Sequence, residues 1–250
     1  MSQKERQISE RAGEVRSGEE PVHFESSTKL GEAWLNVAER IPQTEAEGPG
    51  LRYALWVQGC PLRCKGCCNP HMLEDREAAL MRPQQIIEEI LATPDIEGVT
   101  FIGGEPFWQA SALTQVARAV REAGLGVMVF SGLTRSYMKR QNRADWESFL
   151  QEIDLLIDGP YIASKHVDDR RWIGSSNQGI HFLTERYRYL EEEDAGRKWT
   201  PTPNTIEVRM VGNQITINGF PDESIVALSR ASIRPKKQSA ATHETSPEEE

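Results

Sequence analysis

The stretch that decides the fold is RYALWVQGCPLRCKGCCNP, residues 52–70. RYALWV is a short apolar run of the kind that fills a buried strand, and Gln58-Gly59 stops it. Cys60, Cys64 and Cys67 follow as C-x3-C-x2-C, and Cys68 is adjacent. The sequence holds only four cysteines, and all of them lie within these nine residues. A disulfide framework spreads its cysteines to close loops. Thiols packed this tightly beyond a strand end point instead to a metal or redox site.

Outward from this stretch, strands and helices alternate. AWLNVA (33–38) reads as a first strand. PQQIIEEILA (83–92) has Pro83 in its first turn and apolar residues at 86, 87, 90 and 91, an amphipathic helix. VTFI (99–102) is strand-like and stops at Gly103-Gly104. ALTQVARAVREAG (112–124) reads as a helix with Gly124 as its stop. GVMVF (126–130) and IDLLI (153–157) are further strands, with a helix over 143–152 between them. This order predicts βαβ units and a parallel sheet. IEVRMV (206–211) and QITING (214–219) flank Gly212-Asn213 and predict a C-terminal β-hairpin addition.

The unusual sequences fall just after strands: QGC at 58–60, GGEP at 103–106, SG at 131–132 and DGP at 158–160. Carboxyl ends of parallel strands carry the active site in open α/β sheets and βα barrels. These four turns are therefore expected to converge on one place.

The 250 residues, 38% of them hydrophobic, suffice for one sizeable α/β domain. A net charge of −9 offers no basic face for a phosphate backbone, which argues against a nucleic-acid partner. No run approaches the roughly 18 apolar residues of a membrane span. The opening MSQKERQISERAGEVRSGEE lacks the apolar core of a secretory signal, so the expected location is cytoplasmic. Residues 1–28 and 233–250 are polar and read as disordered arms around a body at 29–232.

Thiolate sulfur suits iron–sulfur clusters, zinc or copper(I). A four-iron cluster usually takes four cysteines. Three on a tight loop leave one iron open to a substrate. The rival is structural zinc, which wants four protein ligands and normally a second pair further along the chain. No second pair exists, although His71 is a candidate fourth ligand. Cys68 is an alternative to Cys67, giving C-x3-C-x3-C; adjacent cysteines rarely reach one metal, and Cys68 is otherwise a small packed residue.

C-x3-C-x2-C after one strand and GGEP after a later one resemble the radical SAM superfamily. EGPGLR (47–52) resembles the DGPG-I/L-R segment of glycyl-radical-enzyme activases, with Glu47 in place of the usual Asp. Gly66 departs from the aromatic residue common in the superfamily and is similar to the C-x-G-C form of anaerobic ribonucleotide reductase activases. LIDGPY (156–161) and RWIGSSNQ (171–178) resemble the same branch. The resemblance implies a partial (βα) barrel of radical SAM type, with a [4Fe-4S] cluster on Cys60, Cys64 and Cys67. It also implies S-adenosylmethionine bound to the open iron and cleaved reductively to a 5′-deoxyadenosyl radical.

By the same resemblance, Gly103, Gly104 and Glu105 meet the methionine amino group, with Glu105 as its anionic acceptor. The glycines would let the backbone pass close to a ligand. Ser131 would contact the methionine carboxylate or ribose, or else serve as an N-cap or turn serine. Asp158 would bind the cofactor or orient a loop. Asn69 would hydrogen-bond the cluster or adenosine. Residues 175–178 would lie near the cofactor or partner surface, or form a solvated turn. Trp56, Phe101, Phe107 and Trp172 read as core or pocket wall; His23, His166 and His243 read as surface, and His181 as structural. The implied partners are a larger glycyl-radical enzyme, such as anaerobic ribonucleotide reductase, and a flavodoxin- or ferredoxin-type electron donor. The alternatives are a radical SAM enzyme acting on a small molecule or peptide, and a non-enzymatic iron–sulfur or zinc module.

Overall fold

A computed structural model describes residues 34–167, 170–193, 205–211 and 214–219. Both arms, His23 and His243, and the Gly212-Asn213 turn lie outside the described residues. In chain order the strands and α-helices are β1 (Leu35–Thr44), β2 (Arg52–Val57), β3 (Ala79–Met81), α1 (Pro83–Leu91), β4 (Gly98–Gly103) and α2 (Ala110–Glu122). They continue with β5 (Gly126–Phe130), α3 (Arg135–Gln141), α4 (Ala144–Gln151), β6 (Leu155–Asp158), β7 (Gly179–Phe182), α5 (Arg188–Glu193), β8 (Ile206–Val211) and β9 (Gln214–Gly219).

The main sheet has seven strands in the order β3-β1-β2-β4-β5-β6-β7. Its centre, β2-β4-β5-β6, is parallel, as the alternation predicts. The three outer pairings are antiparallel. The fold is the expected α/β partial barrel. The first strand departs from its expected 33–38: it runs to Thr44, antiparallel to β2, across two register shifts. The strand predicted at 153–157 runs over 155–158, and Asp154 just before it is bonded through its backbone to the Val127 carbonyl and the Leu183 N–H. Its carboxylate accepts from the Val127 N–H at 2.8 Å and the Thr184 hydroxyl at 2.6 Å.

Alternation with period two divides the core between the two faces of the sheet. Tyr53, Leu55 and Val57, then Val99 and Phe101, then Val127 and Val129, meet the helices on one face. Ile86 and Ile90 of α1 join them, with Leu113, Val116, Ala117 and Val120 of α2 and Trp146 and Phe149 of α4. Ala54 and Trp56, and Met128, Leu155 and Ile157, face the other way. Trp172 and Tyr187 close that second face.

EGPGLR lies at the end of β2 opposite the cysteines. Arg52 is fully buried there. Its guanidinium donates to the Thr100 hydroxyl (2.6 Å), the Pro49 carbonyl (3.0 Å), the Tyr187 hydroxyl (2.9 Å), and the Val99 and Gly126 carbonyls. This resemblance motif therefore ties the starts of β2, β4 and β5 together.

The predicted hairpin forms as β8–β9, with Val208 opposite Ile217 and Met210 opposite Ile215. Its polar residues dock on the end of β1 and the residue that follows it. Asn218 Nδ2 donates to Thr44 Oγ1 at 2.8 Å, Glu207 accepts from the Glu45 N–H at 2.8 Å, and Arg209 donates to the Gln43 carbonyl. Val208 and Met210 are exposed.

Candidate active site

The cysteine loop is a closed excursion from the end of β2. Gly59 N–H donates to the Met72 carbonyl at 2.9 Å, and Cys60 N–H to the Leu73 carbonyl at 3.1 Å. These bonds draw the loop's two legs together and leave residues 61–71 as its tip. Within the tip, Cys67 N–H turns back to the Cys64 carbonyl at 3.2 Å. Gly66 has φ +83°, and a Cβ there would come within 3.3 Å of the Tyr161 ring. Backbone conformation and the neighbouring Tyr161 ring together favour glycine at that position.

The GGEP turn lies directly against the first leg of this loop. Gly104 N–H donates to the Val57 carbonyl at 2.8 Å, and Glu105 N–H to the Gly59 carbonyl at 2.9 Å. A Cβ on Gly103 would fall 2.7 Å from the Val57 nitrogen, and one on Gly104 would fall 2.2 Å from the Gly59 oxygen. The glycines thus allow close approach of the cluster loop's own backbone. That is a second demand for glycine here, beside the expected approach of a ligand.

Glu105 is fully buried, and its carboxylate joins two strand-end turns. Oε1 accepts from the Phe107 N–H (3.0 Å) and the Ser131 hydroxyl (2.9 Å), and Oε2 accepts from the Gly132 N–H (2.9 Å). Protein donors thus reach both oxygens, and Oε2, with a single donor, keeps a lone pair for a further one. Burial pushes the Glu105 carboxyl up to about 7, against the lowering effect of those donors.

Ser131 Oγ also accepts from the Leu133 N–H at 3.0 Å, so its hydroxyl both donates and accepts within the turn. Asp158 accepts from the Arg135 N–H (2.6 Å) and the Gly179 N–H (3.2 Å) and lies 3.1 Å from His181 Nε2. Burial raises its carboxyl, but His181 and these two N–H groups overcome that and hold it below the usual carboxylate range. The four turns form one connected rim. Ser131 N–H donates to the Ile157 carbonyl at 2.9 Å, and Gly159 N–H to the Leu133 carbonyl at 3.2 Å. In the loop at 175–178, Asn177 Nδ2 donates to the Pro160 carbonyl and Gln178 Nε2 to the Gly159 carbonyl, which fastens that loop to DGP.

The donor set suits an iron–sulfur cluster. Burial, and then the Glu105 charge, pushes the Cys60 thiol up to about 12; burial also raises Cys64. Metal coordination deprotonates such thiols outright. Cys67 is already lowered to about 6, chiefly by its hydrogen bond from Cys68, with the Asn69 backbone N–H also donating at 3.4 Å. That N–H is the contact Asn69 makes to a ligand sulfur. The same thiol pair holds Cys68, which is exposed, well above the usual thiol range. Among the described residues no group of three His, Cys, Asp or Glu side chains converges on a single metal ion. A cubane with one thiolate per iron requires a wider set.

Sequence reasoning missed three buried amides behind the loop. Gln109 donates to the Gln58 and Asn36 carbonyls (3.0 and 3.1 Å) and accepts from the Asn36 N–H (2.8 Å). Each looks like an ordinary surface polar residue in the sequence, and their contacts span 51 and 73 positions. The expected walls are as predicted: Trp56, Phe101, Phe107 and Trp172 are buried, and His166 is exposed.

Residues 46–181 match the family model described as a 4Fe-4S single cluster domain. The chain is 32% identical over 155 residues to the anaerobic ribonucleoside-triphosphate reductase-activating protein of Haemophilus influenzae, covering 59% of this chain and 97% of that relative. Its counterpart in Vibrio cholerae is 29% identical over 161 residues, covering 60% and 99%. The pyruvate formate-lyase-activating enzyme of Clostridium pasteurianum is 29% identical over 128 residues, 49% of each chain. Among solved structures, QueE from Escherichia coli aligns with a TM-score of 0.36 at 20% identity, covering 44% of this chain and 57% of that one. The chain belongs to the 4Fe-4S single cluster domain family and is a radical SAM enzyme, with a [4Fe-4S] cluster and S-adenosylmethionine as its cofactors.

Proposed function

We propose that this enzyme is an activase that installs a glycyl radical on a larger partner, with anaerobic ribonucleotide reductase the first partner to test. Cys60, Cys64 and Cys67 hold the cluster, and Cys68 is a neighbour rather than a ligand. Held by those three thiolates, the cluster with S-adenosylmethionine would supply one-electron reductive cleavage of the cofactor's S–C5′ bond, and with it the means to remove a hydrogen atom from a glycine Cα.

The observation that carries this reading is the junction of the cysteine loop with the GGEP turn. Two backbone bonds, at 2.8 and 2.9 Å, and two glycines without room for a Cβ hold them together. The chain's own residues supply geometry and shielding for the cofactor. The Gly103–Glu105 backbone lies beside the cysteines to receive the methionine end of the cofactor. Glu105 and Ser131 fix that turn to the end of β5, and Asp158 fixes the end of β6 to α3 and β7. Asn69 and Gly66 shape the loop around Cys67.

The match to reductase-activating relatives over nearly their whole length supports the partner class. The four cysteines, all spent in one loop, support a single cluster. A flavodoxin or ferredoxin would supply the electron, and the location would be the cytoplasm; no helix among the described residues is long and apolar enough to cross a membrane.

The deciding experiment mixes reconstituted, reduced enzyme and S-adenosylmethionine with candidate glycyl-radical enzymes and records EPR. A glycyl doublet on the reductase, with one 5′-deoxyadenosine formed per radical, is the expected result. Cofactor cleavage with no protein radical on any candidate would favour a small-molecule or peptide substrate.

A further inference from the structure

Behind the cluster loop, three carboxamides form a clasp that the cofactor chemistry does not itself require. Gln109 ends the helical turn Pro106–Gln109 that carries GGEP into α2, and it is 6% exposed. Both protons of its Nε2 are committed, one to the Gln58 carbonyl at 3.0 Å and one to the Asn36 carbonyl at 3.1 Å. Its Oε1 accepts the Asn36 N–H at 2.8 Å.

Asn36 and Gln58 extend the clasp to the returning leg of the loop. Asn36 Nδ2 donates to the Arg76 carbonyl at 2.8 Å, and its Oδ1 accepts from the Ala78 N–H at 2.9 Å. Gln58 Nε2 donates to the Glu74 carbonyl at 2.6 Å. Both legs of the loop are thus anchored through side chains, and the first leg is anchored to the segment that bears GGEP. An apolar residue at 109 would fill the space without the cost of burying an amide. It would also leave the Gln58 carbonyl and the Asn36 N–H without the partner that Gln109 gives them.

We propose that Gln109 is a positioning residue that locks the GGEP turn and the cluster loop into one rigid unit, with Asn36 and Gln58 securing the loop's return. The inference rests on the reading of GGEP as the cofactor's binding turn. Loss of the clasp would leave the cysteines able to hold a cluster but would let the cofactor turn drift relative to it.

The test uses the full chain, reconstituted anaerobically, as wild type, Gln109→Ala, Gln109→Glu and Asn36→Ala. Gln109→Glu keeps the shape and the acceptor for Asn36 but sets an oxygen against two carbonyls. Hydrogen exchange at the Gly59 and Cys60 amides is expected to speed up at least about tenfold in both Gln109 variants, the scale of one or two lost buried hydrogen bonds. In Asn36→Ala the Ala78 amide should quicken as well. Iron content and the EPR spectrum of the reduced cluster alone should match wild type. The S-adenosylmethionine concentration that half-completes the spectral change should rise at least about tenfold. Wild-type exchange together with wild-type half-saturation in Gln109→Glu would overturn the proposal. If Gln109→Ala fails to fold, Gln109→Glu decides. If the wild type itself shows no spectral response to S-adenosylmethionine, the cofactor reading falls, and exchange alone then judges the clasp.

Discussion

Glu105→Ala separates two roles for the acidic residue of GGEP. As a staple, the carboxylate satisfies the Phe107 and Gly132 N–H groups and the Ser131 hydroxyl within the protein. Its removal strands two backbone donors in the core at about 1–3 kcal/mol each. Counting these two donors alone, the expected loss is roughly 2–6 kcal/mol at pH 5.5. The pH dependence has a definite sign. The folded carboxyl titrates at about 7, above its ordinary 4.5, so its contribution is full below 4.5 and declines as pH rises through 7. Between pH 5.5 and 8 the wild type loses about 2 kcal/mol from this group, while the alanine variant, with nothing to titrate there, does not. The gap between them should narrow by that amount. Urea unfolding of cluster-free protein under reductant, followed by tryptophan fluorescence at both pH values, measures it. Equal stability of the two proteins, with S-adenosylmethionine binding lost, would refute the staple and return the carboxylate to the ligand's ammonium.

Other outcomes follow from the same geometry. Cys60→Ala, Cys64→Ala and Cys67→Ala should each abolish iron–sulfur absorbance and cofactor cleavage, whereas Cys68→Ala keeps both; equal loss in Cys68→Ala would show the ligand set to be misassigned. Gly104→Ala places a Cβ 2.2 Å from the Gly59 oxygen and should cost at least about 2 kcal/mol and impair iron loading. Gly124→Ala, at φ +82° in open space, should cost about 1 kcal/mol and leave iron loading intact. Glu47 is raised to about 7 by burial, and its Oε2 has no partner among the described residues. Its contribution is likewise present at low pH and lost as pH rises through 7, so Glu47→Gln should melt higher than wild type by a margin that grows from pH 5.5 to 8. A margin independent of pH would contradict the assigned ionisation.

The strands that place the site could be read from the sequence because burial on both faces leaves a continuous apolar run, as in RYALWV and GVMVF, and because each run stops at glycine. Edge elements carry no such mark. Ala79–Met81 and Gly179–Phe182 are strands through backbone pairing with β1 and β6. Arg135–Gln141 is a helix set by its Thr134 cap and by Asp158 at its N-terminus. Within the site, local signals identified the residues, but non-local contacts set their roles. GGE looked like a segment shaped for a ligand, yet the atoms crowding its glycines belong to Trp56, Val57 and Gly59, and two of the three partners of its carboxylate lie 26 and 27 residues away. This changes what the motif demands chemically. A binding segment needs to contact the cofactor only when the cofactor is present. The GGE segment must first hold the cluster loop in place, so its glycines and its buried acid are required before any cofactor arrives. Gln109 extends that logic, since a buried amide is worth its desolvation only where several carbonyl and N–H groups must be held in one arrangement. Activation chemistry on this chain therefore depends as much on the contacts behind the loop as on the three cysteines it carries.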